Sequence, residues 1–352
     1  MRVMVTGGSG FIGAYIIREL LRQRHEVFNI DIGTYAAAKG SRIKGLDVRS
    51  ALASCGNRVS TTMTFEGFAP DLVIHAAAET HVDRAIDGPT AVVDNNTMST
   101  QVLLEAARNW FGSSGTGPVF CYVSTDEVYG PVPAYNSEPK YNHATSIGFE
   151  ENDRLNPRNP YAASKAASEH LVMAYFHTYN LQTVITRGAN TYGTHQMPEK
   201  FLPMMICRAM QDKELPIYGD GHQIREWLHA EEHARGIVLA ALLGKPGEIY
   251  NLGPGLSHEN LQVAQEILRR MGKPDSLLTH VQDRPGHDRE YAMCNDKALK
   301  ELDWSPKRFL IGTESSGFGC CLDEIINFYT GDEGQAWLHE HCHDQLERRG
   351  LV

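Results

Sequence analysis

Tyr161 and Lys165 stand four residues apart, directly behind Asn159-Pro160, and the run Ser124-Thr125-Asp126-Glu127 lies upstream. A helix brings positions i and i+4 onto one face. An ammonium placed there lowers the pKa of a neighbouring phenol and makes it a usable base near neutrality. Thr125, Asp126 and Glu127 add three consecutive proton-handling side chains, more than alcohol oxidation needs. The combination points to a redox step coupled to an acid/base elimination. Adjacent carboxyls take opposite roles when burial and mutual repulsion split their pKa values. Successive strand residues face opposite sides, so Asp126 and Glu127 reach one substrate only if a strand ends there and the backbone turns.

Chemistry of this kind needs a hydride carrier. The strand-like run at residues 3–6 leads into Gly7-Gly8-Ser9-Gly10-Phe11-Ile12-Gly13, and a helical pattern follows. Glycines permit a tight turn and close backbone approach, and the helix N-terminus offers free N–H groups to a diphosphate. Gly7, Gly10, Phe11, Ile12 and Gly13 are therefore expected to hold a dinucleotide. Asp31 ends the second strand, 18 residues past Gly13, where a carboxylate accepts hydrogen bonds from the adenosine ribose. It would repel a 2′-phosphate and no Arg adjoins it, so NAD is favoured over NADP. Asp47-Val48, after an expected third strand, is placed to contact adenine. Ala76, Ala77 and Ala78 close the fourth strand with side chains small enough for a cofactor to lie against.

The elements that would position these groups alternate. Strand-like runs at residues 3–6, 27–30, 43–48, 72–76, 119–124 and 183–186 are interleaved with helical patterns at 12–23, 97–110 and 161–179. Apolar strands alternating with helices predict a Rossmann-type, doubly wound parallel α/β sheet. The rhythm is lost after about residue 190. We expect a cofactor domain over residues 1–190 that includes the reactive residues. Residues 191–335 should form a smaller mixed α/β substrate-binding lobe, with some chain returning to the sheet. Residues 336–352 should form a solvated helical tail. The Pro- and Asn-rich stretch 131–159 reads as a surface loop over the site.

Composition excludes some functions. The 352 residues are 42% hydrophobic and 22% charged, ordinary for a globular protein. The net charge of −10 argues against a general nucleic-acid or anionic-membrane binder. No apolar run approaches the ~20 residues of a membrane span. Met1-Arg2 leads straight into a strand-like run, so no secretion signal is expected. Seven cysteines without a Cys-x-x-Cys pair read as reduced thiols in a cytoplasmic protein. His339-Glu340-His341-Cys342-His343 carries metal-type donors, but adjacent donors cannot easily share one tetrahedral ion, so no metal site is expected.

Longer landmarks extend the reading: His75-Ala-Ala-Ala-Glu-Thr-His-Val-Asp-Arg84, Ser124-Thr-Asp-Glu-Val-Tyr-Gly130, Tyr161-Ala-Ala-Ser-Lys165, Pro198-Glu-Lys-Phe-Leu-Pro203 and Asp283-Arg-Pro-Gly-His-Asp-Arg-Glu-Tyr291. On these the chain resembles the extended short-chain dehydrogenase/reductase family, and within it the dTDP-glucose 4,6-dehydratases. The resemblance implies NAD-dependent conversion of a nucleotide hexose to its 4-keto-6-deoxy form. Tyr161 would take the O4 proton, assisted by Lys165 and Thr125, while C4 gives up hydride. The resulting ketone acidifies the C5 proton. Glu127 would remove that proton, Asp126 would protonate the departing O6 hydroxyl, and the hydride would return to C6. Lys165 would also bind the nicotinamide ribose. The alternative within the family is a 5,6-dehydratase or a 4-epimerase acting on a UDP-sugar.

By the same resemblance, Asn190, Arg225, Asn260, Arg284 and His287 would hold the diphosphate and nucleoside, with Lys200 and Tyr218 assisting and Thr80 facing the hexose. Departures such as Ala189-Asn190-Thr191-Tyr192-Gly193, Ile32 and Thr194-His195-Gln196-Met197 leave hexose and nucleobase open. Small residues on the helical stretches 97–110 and 161–179 (Ala106, Ala107, Ala162, Ala163, Ala166, Ala167) permit close packing. In the family such helices form a four-helix interface, so a homodimer is expected.

Overall fold

The computed structural model describes residues 1–112, 117–132, 148–311 and 319–348. Its strands in chain order are β1 (Arg2–Thr6), β2 (Glu26–Asp31), β3 (Arg49–Leu52), β4 (Leu72–His75), β5 (Phe120–Thr125), β6 (Thr183–Gly188), β7 (Asn190–Tyr192), β8 (Leu215–Tyr218), β9 (Ile224–His229), β10 (Ile249–Leu252), β11 (Ser257–Glu259), β12 (Leu278–Val281), β13 (Arg308–Phe309) and β14 (Gly319–Cys320). The helices are α1 (Phe11–Arg22), α2 (Arg58–Phe68), α3 (Val82–Asp87), α4 (Pro89–Val93), α5 (Ser99–Phe111), α6 (Pro160–Tyr179), α7 (Phe201–Met210), α8 (Ala230–Leu243), α9 (Asn260–Met271), α10 (Asp296–Leu302), α11 (Leu322–Thr330) and α12 (Asp332–Arg348).

Seven strands form the central sheet in the order β10-β6-β5-β4-β1-β2-β3. Every pairing is parallel. The chain steps outward from β1 through β2 to β3, then restarts at β4 on the other side, which opens a crevice above the C-terminal ends of β1 and β4. Residues of β1, β4, β5 and β6 are buried on both faces, as a parallel sheet covered by helices requires. One core cluster joins α1 and α8 to the sheet, with Ile16, Ile17, Ile237 and Ala241 among its members. Another joins β4, β5 and β6 to α5 and α6 on the opposite face.

The smaller lobe is built on a mixed sheet in which β9 is flanked by β7, β11 and β13, plus the β8–β12 pair. It has its own core, including Met205, Ile206, Trp227, Ile267 and Ile325. No helix of the described residues is long and apolar enough to cross a membrane.

Two expectations about elements need correction. The third strand is not at residues 43–48 but at Arg49–Leu52. Ile43 is buried, and Leu46 and Val48 pack against the core, but from irregular backbone bent at Gly40 (φ 73°) and Gly45 (φ 81°). Their apolar character reflects packing without pairing. The C-terminal segment is helical, as expected, yet it is docked and not solvated. Trp337, Leu338, Cys342 and Leu346 of α12 are buried in the lobe's core. Of the expected surface loop 131–159, residues 133–147 lie outside the described residues.

Candidate active site

β1 ends at Thr6 and the chain enters a turn whose first residue, Gly7, has φ +71°. A Cβ on Gly7 would lie 2.6 Å from Ala77 Cα, so the glycine lets β1's turn press against the end of β4. At Gly13 a Cβ would meet the Gly7 carbonyl oxygen at 2.1 Å, so α1 can begin this close to the turn only with glycine. Side chains brace the turn from β2. The Gly8 N–H donates to Asn29 Oδ1 at 2.9 Å, and the Ser9 N–H to Asp31 Oδ2 at 3.0 Å. The other Asp31 oxygen accepts from the Gly33 N–H at 2.8 Å.

A cavity opens above this turn. Its walls include Gly7, Gly10, Phe11, Ile12, Gly13, Asp31, Ala76, Ala77, Ala78 and Thr80, and beyond them Thr125, Asp126, Glu127, Tyr161, Asn190 and Lys200. One continuous crevice thus joins the expected dinucleotide residues to the expected proton-handling residues. A glycine cradle that any Cβ would fill, with a carboxylate at the end of β2, fits NAD.

The acid pair meets the condition set by strand geometry. β5 stops at Thr125, and Asp126–Tyr129 forms a 3-10 turn, so both carboxyls reach the same cavity. Thr125 caps the turn by accepting from the Glu127 N–H at 3.3 Å, and its hydroxyl donates to Asp126 Oδ1 at 3.1 Å. Asp126 is buried, and its Oδ2 has no partner among the described residues. Burial, and then the neighbouring Glu127, push its pKa up to about 7. Glu127 is less enclosed and accepts from Asn159 Nδ2 at 2.9 Å. Asn159 also caps α6, its Oδ1 accepting from the Ala162 N–H at 2.8 Å, which ties the acid turn to the helix that carries Tyr161.

Tyr161 and Lys165 sit on one face of α6 and are both buried. The expected lowering of the tyrosine pKa is not found. Burial holds the phenol well above its ordinary value, and Glu127, Tyr122 and Asp126 add to the rise; the Thr125 hydroxyl opposes it. Lys165 lies behind the cavity wall. Its ammonium donates to the Val123 carbonyl at 2.6 Å and sits 4.3 Å from the Tyr122 ring centroid. Burial pulls Lys165 down to about 7. An ammonium that is itself desolvated cannot offset the desolvation of the phenol.

The remaining expected residues fall into two groups. Asp47 and Val48 precede β3 and are not in the cavity wall; Ala53, Ser54 and Cys55, beyond the other end of β3, take that place. This follows from the misplaced third strand. Tyr218, Arg225, Asn260, Arg284 and His287 gather in the smaller lobe, outside the cavity wall. His287 packs edge-on against Tyr218 with centroids 6.2 Å apart, and its Nδ1 lies 2.6 Å from Asp283 Oδ1. Arg225 is buried, donates to the Asp288 carbonyl at 2.8 Å and lies 4.3 Å from the Tyr291 ring centroid. Asn260 Oδ1 is buried without a partner among the described residues. Burial lowers the pKa of both Arg225 and Lys200, and the nearby Glu127 carboxylate opposes that fall in each, so the lobe's cations face the acid turn.

Several wall residues escaped sequence reasoning. Tyr35 reaches across to Glu199, its hydroxyl donating to Oε1 at 2.8 Å, and Glu199 also faces Arg84 at 3.4 Å. Glu79, Ser124 and His233 line the cavity as well. Tyr35 and Ala36 lie just past Asp31, so their position after the ribose carboxylate was a usable signal. His233 sits on α8, far along the chain, and nothing local marks it.

Comparison with known proteins agrees with this geometry. The model of the NAD dependent epimerase/dehydratase family matches residues 3–253. A dTDP-glucose 4,6-dehydratase of Shigella flexneri is 41% identical over 322 residues, covering 87% of this chain and 89% of that protein. A probable dTDP-glucose 4,6-dehydratase of Sinorhizobium fredii is 41% identical over 369 residues, with 100% and 99% covered. The crystal structure of DesIV, a dTDP-glucose 4,6-dehydratase from Streptomyces venezuelae with NAD bound, matches with a TM-score of 0.82 at 34% identity, covering 95% and 98% of the two chains. UDP-glucose 4-epimerase of Thermus thermophilus, also with NAD, shares the fold at 26% identity and a TM-score of 0.80, with 94% and 100% covered. The glycine turn, the acid turn after β5 and the buried Tyr161–Lys165 pair thus stand in a chain that belongs to the NAD-dependent epimerase/dehydratase family.

Proposed function

We propose that the protein is a nucleotide-sugar 4,6-dehydratase that converts dTDP-glucose to the 4-keto-6-deoxy sugar nucleotide. The observation that carries this reading is the 3-10 turn at Asp126–Tyr129, which turns two adjacent carboxyls into one cavity and keeps one of them protonatable near neutrality. Simple oxidation and reduction at C4 has no use for such a pair.

The Gly7–Gly13 turn and Asp31 would hold NAD, which would supply a hydride acceptor for C4 and a hydride donor for C6. The chain's own groups handle the protons. Tyr161 takes the O4 proton, with the Thr125 hydroxyl beside it. Its raised pKa means that deprotonation needs a compensating positive charge, which Lys165, itself desolvated, does not supply and which oxidised NAD would supply when bound. Glu127, steadied by Asn159, removes the C5 proton, and C5 takes up a solvent-derived proton when the hydride returns at C6. Asp126, kept neutral by burial, hands its proton to the leaving O6 hydroxyl, and water departs. Lys200 and Thr80, whose carbonyl accepts from Lys200 Nζ at 3.3 Å, stand at the hexose end of the cavity. Asn190, Tyr218, Arg225, Asn260, Arg284 and His287 receive the nucleoside diphosphate. In this reading residues 1–190 hold the cofactor and residues 191–335 mainly the substrate.

Ala163 and Ala167 are exposed one turn apart on α6, and Met98, just before α5, is exposed as well. That small-residue face supports a homodimer built from α5 and α6 of two copies. Ala107, Ala162 and Ala166 serve the chain's own core instead. We place the protein in the cytoplasm, consistent with six buried or half-buried free cysteines among the described residues.

Incubation with dTDP-glucose in deuterated water tests the assignment. The expected product is a 4-keto-6-deoxy sugar nucleotide that carries deuterium at C5, with no net consumption of NAD. Recovery of a C4-inverted sugar, or of a 5,6-alkene, would replace this reading with the corresponding epimerase or 5,6-dehydratase.

A further inference from the structure

Arg42 has no part in the chemistry above, yet it is among the largest fully buried side chains of the protein. Its guanidinium ties together three separate segments. Nε donates to the His195 carbonyl at 2.8 Å, and Nη1 donates to the Ala36 carbonyl at 2.6 Å and the Ser9 carbonyl at 3.2 Å. Nη2 is buried with no partner among the described residues. The Trp337 ring of α12 lies 5.4 Å away, and its indole N–H donates to Ser41 Oγ at 3.0 Å, which closes the site from behind.

Among the described residues this guanidinium has no carboxylate partner. The groups that act on its charge most are the Cys342 thiol and the Tyr329 and Tyr15 phenols, followed by a second cation, Arg18. Burial raises the pKa of that thiol and both phenols, so all three are neutral at pH 7. Burial also pulls Arg42 down to about 10, the mark of a charge held without a counter-ion. Such a charge is costly unless an anion comes near.

Its position indicates which anion. Ser9 lies inside the Gly7–Gly13 turn, Ala36 lines the cavity, and His195 precedes Gln196, which also lines it. All three carbonyls therefore belong to the segments that enclose a dinucleotide. We propose that Arg42 is a positioning residue for the diphosphate of NAD: a fixed cation behind the glycine turn, compensated only when the two phosphates arrive on the other side. It does not touch the phosphates but acts through the Ser9 backbone and through the field it sets across the turn. The proposal rests on NAD binding in this cavity.

The test uses the full-length protein freed of nucleotide and three probes: NAD, ADP and adenosine, each titrated by calorimetry. Arg42→Gln keeps donors for the carbonyls but removes the charge. It should weaken NAD and ADP by about tenfold or more and leave adenosine within about twofold of the parent, as expected for a unit charge acting across a low-dielectric wall. Arg42→Lys keeps the charge and should hold ADP within about threefold. It answers the question even if Arg42→Gln does not fold. Equal weakening of ADP and adenosine would mean that Arg42 only packs the loops, and the proposal falls. It falls too if Arg42→Lys loses ADP, or if no probe changes. A parent protein that binds no NAD would overturn the cavity assignment itself, a result distinct from any of these.

Discussion

At Asp126 two effects pull in one direction. The carboxyl is desolvated, and a second carboxyl follows it in the chain, so its pKa rises to about 7. A general acid works only while protonated, so water loss should slow as pH rises through about 7, read from the pH profile of product release in single-turnover experiments. Asp126→Asn should slow water loss by about a hundredfold or more while C4 oxidation changes far less. Equal slowing of both steps would count against the acid role. The same raised pKa has a stability consequence of definite sign. The folded state binds the Asp126 proton more tightly than the unfolded chain does. Its contribution is therefore complete below the unfolded value of about 4 and is lost as pH rises through the folded one. Asp126→Asn should consequently melt above the parent at pH 8.5, with the gap shrinking toward pH 5, in parallel thermal scans. Glu127→Gln should abolish solvent exchange at C5 with nucleotide affinity nearly unchanged; exchange at the parent rate would move the base elsewhere.

Among elements, the local ones were the most legible in the sequence. The strand, glycine turn and helix at the N-terminus depend on neighbours in the chain, so spacing alone located Gly7, Gly10, Gly13 and Asp31. The end of β5 at Thr125 was legible only as a condition that the acid pair imposed. The third strand was misread because Ile43, Leu46 and Val48 look like a strand face but pack from an irregular turn. With it went Ala53, Ser54 and Cys55, which carry no chemical signature. Asn96 was missed for another reason. Helical chain begins at Pro89, and a widened turn at Asp94–Met98 turns Asn96 inward. There its amide bonds the Glu79 backbone at both ends and Ser164 Oγ at 2.9 Å, a role that only tertiary contact reveals.

Elements also carry predictions. Gly13→Ala must open the turn against the Gly7 carbonyl, so NAD affinity should fall sharply in a binding titration, whereas the exposed Gly67 has nothing nearby for an added methyl to meet. Behind the acid turn, Arg187 pairs with Glu169 at 2.6 Å and donates to the Tyr129 hydroxyl at 2.6 Å, with Arg187 and Glu169 both buried. Arg187→Met leaves a carboxylate buried alone and should cost about 3–5 kcal/mol in denaturant unfolding.

For the whole molecule, the α5–α6 face sets the assembly prediction. Ala163→Arg places a long cation where two copies would meet, so sedimentation should change from dimer to monomer while the isolated fold is kept. A parent protein that sediments as a monomer at micromolar concentration would remove the dimer. The alternation of strands and helices made the large sheet legible, but the smaller lobe was visible only as the loss of that alternation. Its short strands β7, β11, β13 and β14 span two or three residues each, too few for a period to register.

β10 completes the far edge of the parallel sheet, and α8, just before it, packs on α1. Both come from chain that has already passed through the smaller lobe. A swap of sugar preference between relatives therefore carries more than the lobe if made by a single crossover near residue 190, because the recipient's edge strand and the cover of its first helix would then be the donor's, packed on a sheet they did not evolve with. An exchange must be spliced at several junctions, with α8 and β10 left to the host.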